Sequence, residues 1–580
     1  MTTPNELSPV GGEEPLKPTH SLPRYSEPTP ETHRRVSREE EAELALKNTR
    51  YSAGARPVLI ILFLVTILAV PVIQFASEIA APAGSGPPGT FNLYKAYPAW
   101  KKITAVRSGA DLWHLLPRAA ELKAAEKELE TDSTVSEWLL PRVQWLLSEK
   151  LGVGNEQVYL GQGGWLFYRP DIDYITGPPF LDSMVATRRA HAAAVQSDPV
   201  KAITHFRDQL RSRGIDLVLL PIPMKPGVEG EHLAARVSKP GVFHNSSFGE
   251  FRKRLEQNHV RVFDPTPLLA ERKSANRAQS LYLENDTHWR PETMEFVAEK
   301  LALFIQPAAT ADTAGPAESI TGTGDIARML RLPASQNVFH PETVTVHPVT
   351  PDRTPWRPAK NADTLLLGDS FCNIYSLRGL GWGEAAGFAE HLSQSLGRPL
   401  DCILRNSDAA FATREILSRE LGRGRDRLAG KKLVIWEFAT RELAFGDWKL
   451  LDLKLQAPKA ATFFVPKAGE TVKVTATVQA ISNVPRPGSV PYTDHILALH
   501  LIDVAPAGGG EPANVEAIVY VESMHDNVLT DAARLAPGDH VTLQLRAWSD
   551  VAEKYEKINR SEIDDPAVQL EEPCWGELTD

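Results

Sequence analysis

The segment Thr364-Leu-Leu-Leu-Gly-Asp-Ser-Phe371 is a short apolar strand that stops at a Gly-Asp-Ser turn. A buried sheet that ends this way presents a serine hydroxyl at its carboxyl edge, where open α/β folds bind ligands. A serine is a poor nucleophile until a base takes its proton, and the base works best when a carboxylate holds its tautomer. Of the sixteen histidines only His288, in Leu281-Tyr-Leu-Glu-Asn-Asp-Thr-His-Trp289, has an aspartate two residues before it. Ser370 is therefore read as the nucleophile, His288 as the base and Asp286 as the group that orients the imidazole. The backbone amides of Ser370 and Phe371 are candidate donors to an oxyanion.

Gly-Asp is also ordinary turn chemistry, so the weight of the reading falls on its pairing with the unique Asp-x-His. A second aspartate–histidine pair, Asp111-Leu-Trp-His114, lies on a Trp/Leu-rich helical face and reads as structural. His259 and His495 flank strands and read as surface or packing residues.

These side chains need a scaffold, and from Val158 onward strands and helices alternate as in a largely parallel α/β layer. Strands are expected at 158–160, 165–168, 216–222, 260–263, 364–367 and 433–438, with helices at 202–213, 248–257 and from Pro291 to about 304. Residues 308–325 are low in bulky side chains and read as an exposed insertion. After about 455 the apolar period becomes two, at 462–465, 471–478, 495–502, 517–521 and 541–545, which predicts a small barrel or sandwich. Before the α/β layer, Trp113, Leu115, Leu116 and then Trp138, Leu139, Trp145 and Leu146 recur at helical spacing and read as a packed face.

Residues 1–56 are rich in Pro, Glu, Ser and Thr and are expected to form a disordered cytoplasmic tail. Residues 58–76 run nineteen positions without a charge, near the roughly 20 that cross a bilayer as a helix. Arg38, Lys47, Arg50 and Arg56 precede this run and residues 77–94 contain no Lys or Arg, which places the tail inside and the body outside. Ala81-Pro-Ala83 resembles a cleavage site, but the run is long for a signal core and an uncleaved anchor over 57–76 is expected. The divisions that follow are a linker and helical stalk at 77–150, a catalytic domain at 151–452 and an accessory β domain at 453–580.

The formal charge of −10, with no basic stripe, argues against nucleic acid as a partner. Cys372, Cys402 and Cys574 do not make a disulfide framework, although the first two are open either to pairing or to remaining free thiols. No Cys/His cluster has metal spacing, and the acyl chemistry needs no cofactor.

Val158-Tyr-Leu-Gly-Gln-Gly-Gly-Trp-Leu-Phe167, Pro221-Ile-Pro-Met-Lys225, Asp286-Thr-His-Trp289, Gly368-Asp-Ser-Phe371 and Trp436-Glu-Phe-Ala-Thr-Arg441 follow one another along about 155–450. Together they resemble the SGNH-hydrolase-like domain of the alginate O-acetyltransferase AlgX/AlgJ family. The resemblance implies an SGNH-hydrolase-like (flavodoxin-like) parallel sheet with flanking helices. It also implies an extracytoplasmic enzyme that receives acetyl from a membrane-bound acyltransferase, holds it on a serine and passes it to a polysaccharide. Asp-x-His before the serine is the family's order, carried here by Asp286, His288 and Ser370. The usual oxyanion asparagine has a candidate in Asn406 of Leu404-Arg-Asn-Ser407, by its place after the serine segment. Tyr375 and Arg441 are candidates for contact with sugar or acyl group, or for closing a packing layer. Lys225 is a candidate for binding an acidic sugar, or a snorkelling surface lysine. The β domain resembles an accessory carbohydrate-binding module in position. An acetyl esterase with the same triad and a non-catalytic glycan-binding scaffold are the alternatives.

Overall fold

The apolar run near the amino end forms α1 (Ala55–Ala80), with Pro71 inside it. Its 23-residue segment Ala55–Ser77 has a mean hydropathy of 2.9 and none of it is buried, so it is long and apolar enough to cross a membrane and fits a single-pass anchor. The computed structural model describes residues 54–80 and 133–579, except 194, 235–241, 277, 308–315, 407–409, 458–462, 489, 491, 508–514, 564 and 566–567. The tail up to residue 53, the linker from 81, Asp111, Trp113, His114, Leu115 and Leu116 lie outside the described residues. Two units divide the chain at residue 135, and residues 136–580 form the second.

The helical stretch before the α/β layer is α2 (Thr134–Leu151), but its packing inverts the expectation. Gln144 and Ser148 are the side chains it buries, through hydrogen bonds to Gly154 O (3.3 Å) and Val153 O (3.3 Å). Trp138, Leu139, Leu140, Val143 and Leu146 are exposed. Periodicity located the helix and misjudged which face packs, because a polar pair that captures loop carbonyls anchors it.

The hairpin β1 (Val158–Leu160) and β2 (Leu166–Tyr168) turns through Gly163 and Gly164, both at positive φ. Next come β3 (Asp216–Ile222), β4 (Arg261–Val262), the antiparallel pair β5 (Glu318–Gly322) and β6 (Glu342–Val346), β7 (Thr364–Gly368), β8 (Asp401–Leu404) and β9 (Leu433–Ala439). The stretch expected as an exposed insertion thus contains β5, whose Glu318, Ser319 and Thr321 are exposed. The central sheet is parallel throughout, in the order β4-β3-β9-β7-β8. A flavodoxin-like order would put the last strand at the edge. Here β9 sits between β3 and β7, in keeping with Leu433-Val-Ile-Trp-Glu-Phe-Ala439 being buried at every position. Helices α3 (Pro199–Ser212), capped by Asp198, and α4 (Phe248–Gln257) precede β3 and β4. Helix α5 (Pro291–Ile305) opens on its proline, and the four-residue α6 (Ser370–Asn373) follows β7 directly.

The carboxyl-terminal strands are β10 (Thr471–Ile481), β11 (His495–Pro506), β12 (Ala517–His525), β13 (Val528–Leu529), β14 (His540–Ala547), β15 (Asn559–Arg560) and β16 (Pro573–Leu578). Pairings β10–β14, β14–β16, β16–β12, β12–β11 and β11–β10 close a ring, so the region is a barrel filled by Val474, Leu499, Val519, Leu543 and their neighbours. Of the predicted strand at 462–465, the described residues 463–465 form none, and Pro573-Cys-Trp-Gly-Glu-Leu578, which does not alternate, supplies a strand of the ring. The barrel meets the α/β layer through Asn559, whose side chain bonds the Asn406 main chain at both its N–H and its C=O.

All three cysteines are free and buried, so Cys372 and Cys402 do not pair. Strand order explains this. Cys402 lies on β8, whereas the Cys372 thiol, on α6, turns toward β9 and donates to Glu437 Oε2 at 3.2 Å.

Candidate active site

The loop 281–289 is held along its length before any chemistry is considered. Glu229 accepts the Leu281 N–H (2.5 Å) and the Tyr282 N–H (3.2 Å). Glu342 accepts those of Glu284 (2.9 Å) and Asn285 (2.8 Å), and Tyr282 forms a bridge with Trp289. Lys225, fully buried, donates to the carbonyls of Leu166 (2.5 Å), Glu284 (2.8 Å) and Asp286 (3.0 Å). It is therefore neither a sugar ligand nor a surface lysine, but a clamp between β2 and the histidine loop. Burial pulls its ammonium down to about 8 despite neighbouring carboxylates that oppose the shift. Lys225→Met would strand three buried carbonyls and is expected to cost about 3 kcal/mol of stability, with activity falling as the loop loosens. A denaturant titration checks this, and an unchanged midpoint would remove the clamp.

The nucleophile turn is built around Gly368, where a Cβ would stand 2.6 Å from Cys372 Sγ and 3.0 Å from Glu437 Oε2. Asp369 then ties the turn to β9. Its N–H donates to Glu437 Oε2 (2.8 Å), while its carboxylate accepts the Phe371 N–H (2.8 Å) and the Ala439 N–H (3.1 Å). Burial, and then the charge of Asp369, push the Glu437 carboxyl well above the usual range, which favours the acid. The Phe371 amide is thereby committed to Asp369, which corrects the expectation that it serves an oxyanion.

Across these two segments, 82 residues apart, Ser370 Oγ lies 2.8 Å from His288 Nε2. On the other side of the ring, His288 Nδ1 is 2.6 Å from Asp286 Oδ1. Asp286 Oδ2 accepts the Trp382 Nε1–H (2.8 Å) and the Asp325 N–H (2.9 Å). Burial alone would disfavour the charged imidazole, but Asp286, then Asp325 and Asp369, outweigh it and raise the proton affinity of His288. Burial likewise opposes the Asp286 carboxylate, yet His288 and the two N–H donors hold it far below the usual range. With Nδ1–H donated to Asp286, Nε2 is left to accept the serine proton. Ser370 is buried, with 7 % of its surface exposed.

The remaining candidates separate. Tyr375 is fully buried and donates to Trp289 O (2.6 Å), which closes a packing layer. Arg441 pairs with Asp171 at 3.0 Å, lies 5.5 Å over the Tyr168 ring and keeps 18 % of its side chain exposed. Asn406 is buried; its Oδ1 accepts the Asn373 Nδ2–H (3.0 Å) while its own Nδ2 has no partner among the described residues. His495 is buried at the start of β11 between Ser523 Oγ (2.7 Å) and Ser561 Oγ (3.0 Å), a packing residue. Asp286, His288 and Asp325 bring one ligand-type atom each within 4.8 Å of one another. Both Asp286 oxygens already accept two donors each, and each Asp325 oxygen accepts one from Thr287. Trp382 and Asp325 were not foreseen; the glycines at positive φ on either side of Trp382 were the available signal.

Residues 158–440 match the family model described as the SGNH hydrolase-like domain of the acetyltransferase AlgX. This domain, just under half of the chain, belongs to the AlgX/AlgJ family. Among AlgX/AlgJ relatives, the probable alginate O-acetylase AlgJ of Pseudomonas aeruginosa is 24% identical over 303 residues, 50% of this chain and 71% of that protein. The AlgJ of Pseudomonas syringae pv. tomato is 27% identical over 152 residues, 26% of this chain and 34% of its own length. The solved O-acetyltransferase domain of Pseudomonas putida AlgJ is 23% identical with a TM-score of 0.35, covering 50% of this chain and 92% of that domain. Pseudomonas aeruginosa AlgX gives 16% and 0.34, covering 67% and 91%.

Proposed function

We propose that the chain is a membrane-anchored, extracytoplasmic O-acetyltransferase that moves acetyl groups onto a polysaccharide through an acyl-Ser370 intermediate. The observation that carries this reading is the unbroken relay from Ser370 Oγ to His288 Nε2 (2.8 Å) and from His288 Nδ1 to Asp286 (2.6 Å). Ser370 passes its proton to Nε2 as Oγ attacks the acetyl carbonyl, and His288 returns the proton to the departing group. A sugar hydroxyl then gives its proton to the same nitrogen and takes the acetyl from Ser370, and His288 hands that proton to the departing Oγ, which restores the resting site. The relatives' names point to an alginate-type uronate polymer as acceptor. A membrane-bound acyltransferase is the donor, since acetyl must be brought across the bilayer to an anchored site. The orientation, tail inside and body outside, rests on the basic residues before α1 and their absence in 77–94.

The oxyanion is assigned to the Ser370 amide and to Asn406 Nδ2. A buried amide donor without a protein partner costs stability unless it serves something else. Asn406→Ala is expected to lower kcat by about 10²–10³-fold, measured on an acetyl ester; a loss under about threefold would reject Asn406 as an oxyanion donor. Arg441, partly open beside Asp171, is placed at the acceptor entrance.

Transfer and hydrolysis share this relay and differ in whether sugar or water attacks the acyl-serine. The deciding experiment gives wild type and Ser370→Ala an acetyl ester together with an acceptor oligosaccharide. Acetylated oligosaccharide with little free acetate, lost in the variant, supports transfer. Mainly acetate would make it an esterase, and glycan binding without turnover in either protein would make it a scaffold.

A further inference from the structure

Asp286 is not the only carboxylate at the imidazole. Asp325 opens the short helix Asp325–Met329, which follows β5, and is itself buried. Its Oδ1 accepts the Thr287 N–H (2.8 Å), its Oδ2 accepts the Thr287 Oγ1–H (2.7 Å), and the same Oδ2 lies 3.9 Å from His288 Nδ1. Thr287 Oγ1 is 3.1 Å from that nitrogen. The approach is set by Gly324, where a Cβ would come 2.0 Å from Asn285 O and 2.6 Å from Asp286 N. Only glycine lets this backbone lie on the histidine loop.

We propose that Asp325 is a second counter-charge for the His288 imidazolium, a positioning residue that grips the Asp286–His288 pair from behind and raises its proton affinity during acyl transfer. This rests on the triad reading above. Thr287 offers Asp325 two uncharged donors, which hold the carboxylate in place without neutralising it, so its charge remains available to the ring. Burial, and then the charge of Asp286, raise its carboxyl to about 6, so Asp325 is ionised at and above neutral pH. The other charges facing this pocket are Asp369 from the nucleophile turn, Asp171 with Arg441, Arg328 on the helix of Asp325, and Lys225 behind the 284–286 carbonyls. At Nδ1 itself the carboxylate approaches are those of Asp286 at 2.6 Å and Asp325 at 3.9 Å.

The sign of the effect follows. The base must be neutral to accept the serine proton, and an ionised Asp325 favours the imidazolium. It therefore holds the acid limb of the pH–rate profile at higher pH, and removing its charge moves that limb down. Asp325→Asn keeps the shape and can still accept from Thr287, so in the full chain its kcat/KM acid limb on an acetyl ester is expected to fall by about one pH unit. The plateau kcat should drop about tenfold with KM within about twofold, because the imidazolium formed in the transition state loses support. Thr287→Val removes the hydroxyl and keeps both carboxylates, and should leave the limb where it is. An Asp325→Asn limb that coincides with wild type, or a Thr287→Val limb that moves as far, would overturn the proposal. If Ser370→Ala retained turnover the triad reading itself would fall, whereas an inactive Ser370→Ala beside an unmoved Asp325→Asn limb would sink the second counter-charge alone.

Discussion

Ser370→Ala is expected to lower acetyl turnover by about 10⁴-fold or more while the protein keeps its fold. The hydroxyl makes its hydrogen bond to His288 Nε2, and the capping of α6 is done by Asp369, which accepts the Phe371 N–H. Removing one oxygen therefore leaves the turn, its tie to β9 through Ala439 and the clamp on the histidine loop in place. The substitution vacates a single buried imidazole lone pair, so the change in stability should stay within about 2 kcal/mol. Turnover and thermal unfolding measured on the same preparation separate the two effects. A large loss of both would mean that the hydroxyl is structural, and activity near wild type would remove Ser370 as nucleophile.

Much of this site is legible in local sequence because each half is a short contiguous motif. The strand before Ser370 carries a Leu-Leu-Leu run that ends in glycine, and Asp286 and His288 are two residues apart, close enough for one loop to aim both. What supports them is not contiguous. Lys225 reaches carbonyls of two segments about sixty residues away, Trp382 reaches Asp286 from a Gly-flanked turn, and Asp325 arrives after a poorly patterned stretch. A lysine at the end of an apolar strand carries no sign that it will be buried whole; the three carbonyls that make this tolerable appear only in the fold. The same limit applies to α2, where Trp138 and its apolar neighbours suggested a packed face and Gln144 and Ser148 supply the contact instead. Strand β16 escaped notice because both of its faces are covered, Cys574 in the barrel interior and Trp575 against Trp548 and Tyr555 on the outside, which erases the period of two.

The support around Asp286 decides what its amide analogue should do. In Asp286→Asn the NH₂ group must replace one of two oxygens. At Oδ2 it would face two N–H donors that cannot turn away, Trp382 Nε1 and the Asp325 amide; at Oδ1 it would face the His288 amide and a ring nitrogen able to give up its hydrogen. The NH₂ group therefore settles on the Oδ1 side and donates to Nδ1, and the ring proton moves to Nε2. That nitrogen then presents N–H to Ser370 Oγ in place of a lone pair, and the relay is cut without displacement of a heavy atom. A kcat loss of about 10⁴-fold with KM nearly unchanged is expected. The argument carries a second, more exposed consequence. Trp382→Phe removes one of the two donors that reject the amide at Oδ2, so in the Asp286→Asn background the side chain should flip often enough to restore part of the proper tautomer. The double variant should accordingly turn over about tenfold faster than Asp286→Asn alone, a sign opposite to additive damage. A double variant slower than the single would show that Trp382 does not set the orientation of this carboxylate.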